Sequence, residues 1–169
     1  MKKLNRKGFT LVELLAVIII LAIVVGITIP AITNIINDSK NNALGVAVDA
    51  AEDYLADQYA YMNVDYNTAS TNFKNVFTGP TPTGKVVTLL FEGTADATNL
   101  IYVAPELLKE MGFAKDNVDS VTVTISSAGV ACVKVTKIPT TSEYYSTQYW
   151  TTAGAPNASK LPNYTSKSC

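Results

Sequence analysis

From Phe9 to Ile29 the chain reads FTLVELLAVIIILAIVVGITI, a stretch of 21 residues in which Glu13 is the sole ionisable side chain. About 20 apolar residues suffice for a helix to cross the hydrocarbon core of a bilayer, so this stretch is expected to be a membrane-length helix. A carboxylate inside such a helix costs roughly 3 kcal/mol on insertion scales. Glu13 is therefore expected to have a partner. Lys2, Lys3, Arg6 and Lys7 precede the run with no acid among them, which places that end in the cytoplasm by the positive-inside rule.

Beyond this segment nine basic side chains face all fourteen acidic ones, and a mildly anionic body argues against broad nucleic-acid binding. The chain has no histidine, and so lacks the commonest general base and metal ligand. Its two cysteines, Cys132 and Cys169, fall short of the four ligands of a structural zinc site. The densest acidic group, Asp49, Glu52, Asp53 and Asp57, is spaced as the solvated face of a helix. These residues predict neither an enzyme nor a bound cofactor.

Three readings suit residues 1–30. A cleaved secretory signal has an apolar core of about 7–15 residues and a small-residue cut site; here the run is longer and ends at Thr28-Ile29-Pro30. A plain membrane anchor fits the length but leaves Glu13 unexplained. The third reading rests on the whole string RKGFTLVELLAVIIILAIVVGITIP, which resembles the class III signal of type IV prepilins. The glycine, the aromatic residue after it, Thr-Leu-Val, the glutamate and Pro30 all stand in place. The resemblance implies cleavage between Gly8 and Phe9 by a membrane aspartyl peptidase, with methylation of the new amine on Phe9. It also implies that Glu13 pairs with the N-terminal amine of a neighbouring subunit, and so acts in assembly. Pro30 matches a common pilin position.

Past Pro30, apolar residues recur at Ile32, Ile35, Ile36, Ala43, Val46, Ala47, Ala50, Tyr54, Leu55 and Met62, close to the spacing of one helix face. One long helix over about 9–62 is expected, apolar all round to residue 30 and amphipathic over 31–62. Pro30 and Gly26 should loosen or bend it. After residue 62, NVDYNTASTNF and TGPTPTGK read as loops and turns. Lys85–Glu92 reads as a strand, and Pro105–Met111 as a short helix stopped by Gly112. Val118–Ser126 and Val130–Lys137 alternate as a strand pair, with Ala131, Val133 and Val135 on one face and Cys132, Lys134 and Thr136 on the other.

The expected fold is α+β: the long N-terminal helix packed on a small antiparallel sheet in a head over 63–169. Pilins commonly close a C-terminal loop by a disulfide, which implies pairing of Cys132 with Cys169 and lays residues 138–169 across the outer face or edge of the sheet. Two free thiols are the alternative. Tyr144, Tyr145, Tyr149, Trp150 and Tyr164 make this tail aromatic, suited to contacts or to fixing the loop on its own sheet.

By this resemblance the chain is a structural subunit, with residues 1–8 as a leader. It sits in the cytoplasmic membrane by one span, N-terminus inside, and is then polymerised into a surface filament. Its partners would be other pilin subunits, the prepilin peptidase and methyltransferase, and an assembly platform. Adhesion, twitching motility, aggregation and DNA uptake are the roles such filaments serve. Two alternatives stand: a pseudopilin of a type II secretion or competence apparatus, and a membrane-anchored binding domain that never polymerises.

Overall fold

A computed structural model describes residues 10–77 and 84–157. The elements run α1 (Leu11–Val64), α2 (Thr71–Phe77), β1 (Val87–Leu90), β2 (Ile101–Val103), α3 (Pro105–Glu110), β3 (Ser120–Ile125) and β4 (Ala131–Lys137). The chain divides into two units, residues 1–38 and residues 39–169, with the boundary inside α1.

In the second unit the buried face of α1 is Asn41, Leu44, Val48, Ala51 and Leu55. Their alternating three- and four-residue spacing gives one straight stripe along a helix. This corrects the expected face. Ala43, Val46 and Ala50 point outward, while Ala47, Tyr54 and Met62 pack at the margin of the core and Leu55 lies at its centre. This half of α1 carries two apolar stripes, and periodicity alone does not say which of them meets a core.

The core draws its other side chains from alternating strand positions. Val87 and Leu89 of β1, Val121, Val123 and Ile125 of β3, and Ala131, Val133 and Val135 of β4 are all buried in one cluster with the α1 stripe. The antiparallel register puts Val123 opposite both Val87 and Val133, so these chains share one face. The β3–β4 pair is built as its alternation predicts. Ser126 and Val130 close its turn, with Gly129 at φ +82°.

The sheet, in the order β2-β1-β3-β4, is mixed rather than antiparallel, because β2 pairs parallel with β1. The chain returns to the start of β1 through a turn centred on Asp96. Its carboxylate accepts hydrogen bonds from the Thr98 amide at 2.9 Å and the Asn99 side chain at 2.7 Å, while its backbone exchanges both bonds with Ile101. Leu100, at φ +55°, then reverses the direction. Three residues are too few to show a period of two, which is why β2 escapes the pattern reading.

Helix α2 begins inside NVDYNTASTNF, a stretch whose Thr, Asn and Ser content predicts loop. Burial overrides that preference: Phe73, Val76 and Phe77 enter the core, and the two phenyl rings stack at 4.8 Å. Helix α3 matches its prediction. Pro105 opens it, and Gly112, at φ +90°, ends it with the paired bonds Phe113 N–H to Leu108 O and Gly112 N–H to Lys109 O.

One carboxylate ties the three helices together. Glu110 Oε2 accepts from the Tyr54 hydroxyl at 2.5 Å and the Ser70 hydroxyl at 2.6 Å, and Oε1 accepts from Asn72 Nδ2 at 2.7 Å. Partial burial pushes the Glu110 carboxyl up, but the three donors outweigh it and hold the group below its usual range. Burial, then the bond to Glu110, drives the Tyr54 hydroxyl up to about 12.

The described part of the tail is fixed to the head. Ile138, Tyr149 and Trp150 are buried in the core, and Tyr144 and Tyr145 pack against it. Ile138 N–H donates to Gly154 O at 3.0 Å, Lys40 Nζ to Tyr145 O at 3.1 Å, and Ser142 Oγ to Asn117 O at 2.8 Å. These aromatics serve to anchor the loop. Tyr164 lies outside the described residues.

Candidate functional site at the N-terminal helix

Residues 10–38 are helical from Leu11 onward. Every Leu, Ile and Val from Leu11 to Ile36 is at least 48% exposed, on all sides of the helix. So large an apolar surface is far beyond what a soluble monomer presents to water. Its length and composition suit it to anchor in a membrane, where the helix satisfies its own backbone groups.

The hydroxyls within this stretch are also satisfied locally. Thr33 Oγ1 donates to Ile29 O at 2.9 Å and Thr28 Oγ1 to Val25 O at 3.3 Å. Pro30 sits inside α1 and brings no N–H to the carbonyl of Gly26, yet the helix continues through it.

Glu13 stands in the first turn of α1 and is partnered within its own chain. Its Oε2 accepts from the Thr10 amide at 2.8 Å and from Thr10 Oγ1 at 2.8 Å, and its amide donates back to Thr10 Oγ1 at 3.3 Å. This is a capping box, in which Thr10 caps the helix and an acid three residues later returns the bond. Glu13, expected to have a partner, finds one in Thr10 of its own chain. Its energetic anomaly is reduced by the Thr10 amide and hydroxyl at the helix start, where the positive end of the helix dipole also favours an anion. The pattern Thr-x-x-Glu ahead of an apolar run carries this capping box in the sequence, and the expectations above do not include it.

The remaining expected sites are dispersed. Gly8, Phe9 and Cys169 lie outside the described residues. Cys132 is half-buried in β4, on the face opposite Ala131, Val133 and Val135. Among the described residues there is no free cysteine, and no three His, Cys, Asp or Glu side chains are arranged to hold a metal ion.

Of the helical acids, Asp53 and Asp57 are exposed, whereas Asp49 and Glu52 are half-buried. Asp49, Glu52 and Asp53 line an open groove of about 420 Å³ against Ala128–Ala131. A second groove of about 280 Å³ runs between Asn72 and Asn75 on one side and Tyr102 and Glu106 on the other. Neither brings a nucleophile to a general base.

Residues 3–29 match the family model described as the prokaryotic N-terminal methylation motif. No curated protein and no solved structure matches the chain.

Proposed function

We propose that this chain, which carries over residues 3–29 the class III signal of type IV pilins and pseudopilins, is a structural, non-enzymatic filament subunit made as a membrane precursor. The observation that carries the reading is the coincidence of that motif with an exposed apolar helix holding a single acid in its first turn. Cleavage falls between Gly8 and Phe9, and the new amine on Phe9 is methylated. The chain spans the cytoplasmic membrane once, N-terminus inside, until the assembly platform draws it into a surface pilus of like subunits. Residues 9–30 form the filament core, and 63–169 form the displayed head.

Mass spectrometry of the mature N-terminus tests this directly. The expected product begins at Phe9 and is one methyl group heavier than the unmodified chain. An intact Met1, or a cut after residue 30, would remove both the pilin and the pseudopilin readings and leave an anchored binding domain. The motif is common to pilins and pseudopilins. Long surface fibres containing the chain favour the pilus, and their absence favours a short envelope-spanning pseudopilus.

The head is closed by a Cys132–Cys169 disulfide on this reading. The outward, half-buried setting of Cys132 and the absence of a free cysteine among the described residues support it. In the chain-entropy account, closing a loop of this length stabilises by roughly 3–4 kcal/mol. On gels the unreduced chain is expected to run faster than the reduced one and to take up no alkylating agent. Labelling of both thiols without reductant would exclude the bond.

A further inference from the structure

We infer that the groove between α2 and the edge of the sheet is a binding site for one ring of a neutral sugar. The inference concerns the head alone and goes beyond the filament reading. The groove, of about 280 Å³, has Asn72, Asn75 and Val76 on one side and Tyr102, Val103 and Glu106 on the other. Pockets for drug-sized ligands hold roughly 300–1,000 Å³, so this one suits a single small unit.

Tyr102 pairs with Leu89 in the parallel ladder, so it shares the core face of the sheet, at the edge strand. Half-buried there, its ring forms a flat and rigid apolar wall. Val103, next along the strand, turns its amide and carbonyl away from β1. Asn72 is fixed in orientation, because its Nδ2 donates to Glu110 Oε1 at 2.7 Å and Glu110 is itself held by Tyr54 and Ser70. Asn72 Oδ1 is thereby left as an acceptor that needs no ordering when a ligand arrives. Asn75, exposed one turn further along α2, adds two donors and an acceptor.

The charge of the lining selects the class of ligand. No lysine or arginine lines the groove. Lys109 is engaged by Glu106 at 2.8 Å, and Lys74 donates to Tyr66 O at 3.1 Å. An anion would meet the Glu106 carboxylate with no cation in the lining to offset it. A wholly apolar ligand would strand the two carboxamides and the outward backbone of Val103. An extended peptide needs more edge than one outward residue supplies. A sugar ring fits on each count: its hydroxyls both donate and accept, and its C–H face can lie on the Tyr102 ring.

The test applies the full-length chain, in a detergent without a sugar headgroup, to an array of neutral, sialylated and sulfated oligosaccharides. Retention on neutral oligosaccharides is expected. Asn75→Ala is expected to weaken binding of the best-retained one about tenfold, the loss of a bonded carboxamide. Tyr102→Leu, which keeps apolar bulk but removes the ring, is expected to weaken it as much. Asp53→Ala, in the other groove, is expected to leave it unchanged. Thermal unfolding checks the fold of each variant.

Retention of no oligosaccharide, or of the sialylated and sulfated ones only, would overturn the site. So would retention of neutral sugars at parental strength by Asn75→Ala, or an equal loss in Asp53→Ala. If Tyr102→Leu melts early, Asn75→Ala decides alone, since its side chain is exposed.

Discussion

Glu13→Leu is expected to leave the chain in the membrane at parental level while lowering the yield of filaments by at least about a hundredfold. Two effects of the substitution oppose each other. Insertion gains, because a carboxylate worth roughly 3 kcal/mol of penalty is replaced by an apolar side chain. On the proposed pilin reading, in which Glu13 pairs with the amine of a second subunit, assembly loses, because that amine finds no counter-charge in a low-dielectric bundle of helices, and leaving one member of a buried pair alone costs about 3–5 kcal/mol.

At 1.4 kcal/mol per factor of ten the second effect is a reduction of about two to three orders of magnitude. The substitution also removes the acid half of the capping box with Thr10, worth about 1 kcal/mol. That loss concerns a helix end stabilised by the bilayer, so insertion survives it. Immunoblots of the sheared filament fraction against the membrane fraction measure both terms. Parental polymerisation of Glu13→Leu would dismiss the pairing.

Gly154→Ala is expected to be the most damaging single-atom change in the head. Gly154 has φ +76°, which by itself costs an L-residue about 1 kcal/mol or more. The added Cβ would stand 2.1 Å from the carbonyl oxygen of Ile138 and 3.2 Å from its carbon, backbone atoms that cannot rotate aside. To relieve the overlap the strand end must move away, breaking the bond from Ile138 N–H to Gly154 O and disturbing Ile138 and Trp150, both fully buried.

Strain, a lost hydrogen bond and disrupted packing together amount to about 3 kcal/mol or more, or about 6–12 °C in melting temperature for a chain of this size. Gly84→Ala is the control, since Gly84 shares the positive φ, at +81°, but has open space where the Cβ would go. It is expected to cost only about 1 kcal/mol. Thermal unfolding of the detergent-solubilised chain, followed by circular dichroism, compares them. Equal losses in the two variants would mean that the close approach at Gly154 is not a constraint.

What could be read from the sequence follows from how local each signal is. The N-terminal helix is legible because its chemistry is contiguous: one apolar run, one acid, one basic leader. The β3–β4 pair is legible because six or seven alternating residues suffice to show a period of two. Helix α2 is not, because Phe73, Val76 and Phe77 make it a helix only through what they pack against. The choice between Leu44/Val48/Ala51 and Ala43/Val46/Ala50 as the inner stripe of α1 has the same character, since both sets obey the helical period and only the sheet decides. Thr10 differs from these. The Thr-x-x-Glu pattern that joins it to Glu13 is local, with the two residues three apart, and is open to reading from the sequence.

Strand β2 has a consequence for how copies of this head meet. An exposed sheet edge is a template on which another chain can continue the ladder, and proteins that stay soluble at high local concentration blunt such edges. At this edge Ile101 has its outward amide and carbonyl already engaged by Asp96, and Pro105, just beyond the strand, has no amide to offer. Val103 is left as the single residue facing outward, too little for an incoming strand to register on. Copies of this head that meet at high local concentration are therefore protected on that side from fusing into a continuous sheet.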